Sequence, residues 1–500
     1  MVLDKLKSLA IDQESLKAAA PAAPAGKPPS KKQIYQSRYN FGVNFGSLFV
    51  LEKFIFDKFF IDNTSCELEA ITAYSKKNGA ENTQKDLEDH WNNYATDQDW
   101  EWLKSKGVTA IRIPIGYWHV NGGSFANDTP FAKVAGVYKN AWSIFKNIVA
   151  KAKQYDIGVL IDLHALPGGA NAAEHSGQQL SKAEFWKSKK NEKLALSVLE
   201  FIAQEFKNEE NIVGLQIVNE SEFDNTAASQ KHYYTKAVKH IRNIDSEIPI
   251  VISDGWWPDQ WVKWVVENEQ DLKNQSVGIV IDHHVYRCFS DADKKKAPEQ
   301  IIKDLNGDLL TNLSGQADVM VGEYSCVLDG DSWNKAGGDR NELVKQYGNE
   351  LSKLFYQRAG AGSYFWTFRF EHGDGGEWGF VPQVETGAIP SRPTQVTQVP
   401  PEDEVNKILE NELNQHSQYW DGQNKNEKYE HWRYKEGFIT GWADANEFSK
   451  FDGSTIGRIN AWKIARRNEH ISHRKNSNFL WEWDQGFDKA VSIFNQIAFS

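Results

Sequence analysis

Cysteine is scarce, with only Cys66, Cys288 and Cys326 among 500 residues, far apart and without a CxxC pair. That usage excludes a disulfide framework or a zinc ribbon and predicts reduced thiols in the cytoplasm. No run of 18 apolar residues occurs, so no membrane-spanning helix is expected, and the start, Met1 to Lys7, lacks the apolar stretch of a secretory leader. Positive charge is in deficit: Lys and Arg number 57 against 68 Asp and Glu, a net charge of −11. A surface of that sign repels phosphate backbones, which argues against nucleic acid as a partner. A phosphate-binding loop is also missing, because the glycine-rich stretch Gly373-Asp374-Gly375-Gly376 lacks the lysine and the following helix. It reads as a rim loop, with Trp378 beside it. What is present is a globular composition, 40% apolar, 13% aromatic and 25% charged, in a chain long enough for a large barrel with additions.

From Tyr39 onward, short β-rich runs alternate with longer helical patterns, the signature of βα units and a parallel sheet. Eight strands are predicted, at 41–44, 108–114, 158–163, 213–218, 250–253, 277–282, 319–322 and 363–367. Eight is the closing number for a (β/α)8 barrel, so the expected class is α/β. Helical patterns such as 142–155 and 193–206 repeat apolar residues at three and four and suit the outside of that barrel. Residues 1–38 open with a short helical pattern (Val2, Leu3, Leu6, Leu9, Ile11) and pass into the Ala-Pro stretch 20–29; they are expected to form a mobile arm. The barrel is expected over 39–395, and a Pro-rich break up to Pro401 separates it from 401–500. That last region carries Trp420, Trp432, Trp442, Trp462, Trp481 and Trp483, too many for a solvated tail. It should be mainly helical and packed on the barrel.

Reactive groups of parallel barrels project from the C-terminal ends of the strands. Here those ends carry Arg112, His164, Asn219-Glu220, Asp282-His283-His284-Val285-Tyr286, Gly322-Glu323 and Trp366. Two glutamates, Glu220 and Glu323, thus face one mouth. Such a pair can cleave an acetal, one protonating the leaving oxygen while the other meets the oxocarbenium-like carbon. Asp282 and His284 share a strand face, but no third ligand stands at metal-binding spacing, and no metal is expected.

The arrangement resembles glycoside hydrolase family 5, and within it the fungal exo-β-1,3-glucanase branch, over about residues 40–392. The resemblance rests on Asn219-Glu220, His284-Val285-Tyr286, Gly322-Glu323 and Trp366 in order, together with Gly42-Val43-Asn44-Phe45-Gly46 and His164-Ala165-Leu166-Pro167-Gly168-Gly169-Ala170-Asn171. It implies a retaining β-glycosidase without cofactor or metal, acting on a β-glucoside or β-glucan-type carbohydrate. Glu220 would be general acid and then base, and Glu323 the nucleophile. Asn219 would hold the sugar 2-hydroxyl, and Arg112 and Tyr286 would donate hydrogen bonds to Glu323. His164 and His284 would complete the floor, Glu52 and Asn171 would grip sugar hydroxyls, and Trp366 would offer a stacking face. Ala173 stands where the branch has an aromatic opposite Phe289, which widens the next subsite. With a cytoplasmic location, a glycolipid or small-molecule β-glucoside fits better than wall glucan. A second reading is a barrel without turnover that binds β-glucan or a protein.

Overall fold

Eight parallel strands close into a barrel in sequence order, as the alternation predicts: β1 (Phe41–Asn44), β2 (Ala110–Gly116), β3 (Gly158–Ala165), β4 (Ile212–Gln216), β5 (Ile250–Ser253), β6 (Ile279–Arg287), β7 (Asp318–Leu328) and β8 (Gly362–Phe365). The computed structural model describes residues 16–20, 27–273, 275–311, 313 and 315–500. Strand residues alternate between the barrel axis and the outer helices. Along the axis, Ala110, Leu160, Val213, Val251, Val280, Met320 and Tyr364 form an apolar floor. Two residues further along their strands come Arg112, Asp162 and Asp282, a polar layer above the floor. The outward side chains meet helices such as Ala141–Gln154 and Lys189–Phe206, which bury Trp142, Phe145 and Val149, and Leu199, Ile202 and Phe206. Each such fully buried side chain contributes about 1.5–3 kcal/mol.

β6 and β7 run past their expected ends, to Arg287 and Leu328, and their pairing slips on the way. The register shifts between His283 and His284, after which His284 stands opposite Glu323. A bulge of this kind re-aims the side chains that follow it.

The expected arm is not loose at its end. Lys31–Ser37 is a helix, started by a capping box between Ser30 and Gln33, and it plugs the bottom of the barrel. Tyr35 packs into the apolar floor. The fully buried Arg38 lies over the Tyr35 ring and donates from Nη2 to the carbonyls of Thr109 (2.7 Å) and Asp156 (2.9 Å). The pattern from Val2 to Ile11 and the core of the Ala-Pro stretch, 21–26, lie outside the described residues.

Four helices follow the barrel: Glu402–Gln423, His431–Ser449, Ile459–Arg474 and Leu480–Ala498. The second and fourth lie almost backbone to backbone. A Cβ on Gly437 would fall 2.1 Å from the Trp483 carbonyl oxygen, and one on Gly486 2.1 Å from that of Tyr434. Trp442, Trp462 and Trp483 are buried in this bundle, whereas Trp432 is exposed. Glu482 is also buried there; its carboxylate accepts the Glu430 N–H at 2.7 Å and faces His416 (2.9 Å) and His431 (2.7 Å).

The bundle docks at the bottom of the barrel, away from the strand C-termini. Asp318, the first residue of β7, accepts the Asn460 and Ala461 N–H groups at the start of the third helix. Arg458 donates to the Gln36 carbonyl, so the N-terminal plug sits between barrel floor and bundle. Among the described residues, no helix is long and apolar enough to cross a membrane.

Candidate active site

Arg112 is the centre of the polar layer. Fully buried, it donates from Nε to Gln216 (2.9 Å), from Nη1 to Asn44 (2.8 Å) and Glu323 (2.9 Å), and from Nη2 to Asn219 (2.7 Å). Its Nη2 also lies 2.9 Å from Asp162. Although burial opposes it, the carboxylates of Asp162, Glu323 and Asp282 raise the guanidinium further above its ordinary range. A buried guanidinium needs this many partners, and its planar fork can reach several strands at once.

Glu323 projects from β7 above this layer. Arg112 holds its Oε1, and the Tyr286 hydroxyl donates to Oε2 at 2.9 Å. Burial and then the Glu323 carboxylate push the Tyr286 phenol well up, so it stays a donor.

Glu220 follows β4 in a left-handed backbone conformation, φ 41°, which a non-glycine residue adopts only when its surroundings hold it there. Asn171 supplies part of that hold, donating from Nδ2 to the Glu220 carbonyl at 2.7 Å while its Oδ1 accepts the Ala173 N–H. The Glu220 carboxylate faces two imidazoles, with His284 Nδ1 2.8 Å from Oε1 and His175 Nε2 3.0 Å from Oε2. Burial alone would push this carboxyl up, but hydrogen bonds from His175 and His284 hold it well below the usual carboxylate range. One carboxylate oxygen of Glu220 and one of Glu323 lie within 4.8 Å of each other, with His284 touching both sides.

The histidines divide by charge. Against burial, Glu323 and Asp282 raise His284 well above its ordinary value; its Nε2 sits 3.0 Å from Asp282 Oδ2, so both nitrogens serve carboxylates as donors. His175 is raised to about 9 against its own burial, chiefly by Glu220 and then Glu52. His164 goes the other way, lowered by burial. Its Nδ1 faces Asp162 at 2.7 Å and its Nε2 faces the Asn219 amide nitrogen at 3.3 Å, the pattern of a neutral ring. Glu220, His284 and Glu323 are close enough to surround a cation, but His284 has no free lone pair for one.

The structure therefore gathers Arg112, His164, Asn219, Glu220, His284, Tyr286 and Glu323 into one network. Glu52 stands nearby: burial and the charges of Glu323 and Glu220 raise its carboxyl to about 8, against the pull of His175. Trp366 lies nearly parallel to His164 at 6.2 Å between ring centroids and is 4% exposed. Asn171 has its amide engaged on backbone groups. His175 was not singled out in the sequence, nor were Asn44, Asp162 and Gln216 as members of the network. The one signal for His175 was its place four residues after Asn171 in the third-strand loop.

The mouth above the site is lined by exposed aromatics. On one side Phe54 and Phe289 approach Trp378, with ring centroids 6.0 and 6.4 Å apart. On the other stand Phe223, Trp256 and Trp257. Ala173 is exposed at the rim.

The chain also matches known proteins. Residues 75–369 match the cellulase (glycosyl hydrolase family 5) model, and residues 402–498 match the glucan 1,3-beta-glucosidase 3 C-terminal domain. An uncharacterized glycosyl hydrolase of Saccharomyces cerevisiae is 43% identical, over 97% of this chain and 96% of that protein. Glucan 1,3-beta-glucosidase 3 of Schizosaccharomyces pombe is 31% identical, over 94% of this chain and 98% of its own length. Among solved structures, rutinosidase from Aspergillus niger shares the fold with a TM-score of 0.56 at 20% identity, covering 71% of this chain and 98% of that one. The chain belongs to glycosyl hydrolase family 5, its barrel joined to a helical domain of the glucan 1,3-beta-glucosidase 3 C-terminal type.

Proposed function

We propose that the protein is a retaining β-glucosidase working by double displacement, with Glu323 as nucleophile and Glu220 as acid and then base. The observation that carries this is the carboxylate pair with its unlike surroundings. Oxygen-to-oxygen proximity within 4.8 Å favours the roughly 5–5.5 Å carboxyl spacing of retaining enzymes over the roughly 6.5–9.5 Å that leaves room for a water. Glu323 attacks the anomeric carbon as the bond to the aglycone oxygen breaks and Glu220 protonates that oxygen. In the second step a water gives its proton to Glu220 and displaces Glu323. Asn219 has one N–H engaged with His164 and a second to offer the sugar 2-hydroxyl, a bond that strengthens in the transition state.

The exposed aromatics at the mouth suit a β-glucoside whose aglycone has a flat or apolar face, a glycolipid or small-molecule glucoside. Three unpaired, buried cysteines suit a reducing compartment. The test is turnover of an aryl β-glucoside by wild type, Glu323→Gln and Glu220→Ala, with mass analysis after exposure to a 2-fluoro-glucoside. We expect a covalent adduct on Glu323 and azide rescue of Glu220→Ala. Unchanged turnover in either variant would overturn the assignments. An unlabelled, inert wild type would leave a binding barrel.

A further inference from the structure

Glu220 must enter the reaction as an acid, yet in the resting site two imidazoles hold its carboxyl ionised. The proton it gives has to come from a neighbour. His284 is a poor source, because it is wedged between Glu220, Asp282 and Glu323 and donates from both nitrogens. His175 is placed differently. Only its Nε2 is engaged, 3.0 Å from Glu220 Oε2, while its buried Nδ1 has no hydrogen-bond partner among the described residues. It stands in the turn Glu174–Ser176, which is fixed from behind: Gly177 has φ +80°, and a Cβ there would fall 2.2 Å from the Trp118 ring.

We propose that His175 stores, on Nε2, the proton that Glu220 delivers to the leaving oxygen. The inference rests on the assignment of Glu220 as the acid. In the open site the pair is imidazolium and carboxylate. When a sugar fills the mouth and excludes water, a separated charge pair becomes costlier than its neutral form. The Nε2–H bond then breaks, its electron pair stays on the ring, and an O–H bond forms on Glu220. That proton passes to the aglycone oxygen as the glycosidic bond breaks. In the second step Glu220 takes a proton from water and returns it to Nε2, so the pair ends each cycle as it began.

The surrounding charges favour storage on the imidazole. Glu220 after β4 and Glu323 on β7 face it with negative charge, Glu52 after β1 adds its own once it loses its proton near pH 8, and Glu174 precedes it on the same turn. Against them stand Arg112 on β2 and His284 on β6, while His164 on β3, whose ring centroid lies 5.1 Å away, is neutral. The balance keeps the His175 proton until about pH 9. Because the two sites share one proton, the alkaline limb of kcat/KM belongs to the pair and follows the better base.

The test compares wild type, His175→Asn and His175→Gln on an alkyl β-glucoside, whose poor leaving group needs the acid, and on 2-fluoro-glucosyl fluoride, whose trapping does not. In both variants the alkaline limb for the alkyl glucoside should fall by at least about one pH unit, while trapping shows no such shift. An unmoved limb in folded variants would overturn the proposal. Should neither variant fold, the wild type decides: a limb near pH 9 with trapping level through it supports storage, and a limb below about pH 7 refutes it. A wild type that traps no fluoroglucosyl adduct sinks the catalytic reading itself, a result distinct from failure at His175.

Discussion

Arg112 makes five contacts from β2 to groups on or beside β1, β3, β4 and β7, and no other cation can make them all. Arg112→Lys keeps the charge but offers three N–H groups from a single nitrogen, so at least two contacts are lost. At about 1.5–3 kcal/mol for a hydrogen bond to a charged group, the barrel should lose about 3–6 kcal/mol. Among the five are the contacts to the Asn219 side-chain oxygen and to one oxygen of Glu323, the two groups that the proposed mechanism sets against the sugar. Loss of a positioned donor should lower kcat/KM by about 10²–10³. The assay is urea unfolding followed by tryptophan fluorescence, read beside aryl β-glucoside kinetics on the same preparation. The bundle has its own tryptophans, so a barrel-only loss should separate one transition into two. A lysine variant within twofold of wild-type kcat/KM and with an unmoved midpoint would refute the account of Arg112 as the tie between floor and nucleophile.

Glu52 provides a prediction of opposite sign to that for most acidic groups. Burial raises its folded value from 4.5 to about 8, so the folded state holds a proton that the unfolded chain has lost, and stability falls as pH rises through that window. Glu52→Gln should therefore gain about 1–2 kcal/mol on wild type near pH 8 and nothing near pH 4, checked by denaturant titration at both values. Glu482→Ala leaves the Glu430 N–H and the His416 imidazole without their partner and takes from His431 one of its two carboxylates, the other being Asp421; it should cost about 2–4 kcal/mol in the bundle, seen as early loss of bundle helicity with aryl glucosidase activity retained. Tyr286→Phe removes one donor from Glu323 and should lower kcat about tenfold with little change in KM, measured under saturating substrate. Gly177→Ala forces a strained φ and a clash with Trp118, and should lower both the thermal midpoint and activity.

The barrel was legible because each strand is a short β-rich run, and because polar residues such as Asn44, Arg112, Asp162 and Asp282 fall on the axis by simple alternation within those runs. Glu220, Glu323 and Arg112 follow from that rule together with the family's motifs. His175 does not, since its loop has no period and its position is set by the Gly177–Trp118 contact and the Asn171 bond to Glu220. The slip between His283 and His284 is equally unreadable, being a property of two strands together. The plug at 31–38 was hidden for another reason: Tyr35 and Arg38 belong to a segment whose Ala and Pro neighbours suggest an extended linker, and only the hollow under the barrel gives them somewhere to go. In the bundle, helicity could be read but the close crossing at Gly437 and Gly486 could not.

The helical bundle grips the end of the cylinder opposite the chemistry, with the N-terminal helix clamped between them. A neighbour that takes hold of the bundle's outer surface is thus kept a full strand length from the sugar and leaves the entrance open. Selection on tethering and selection on substrate can proceed on separate faces of one chain, each blind to the other.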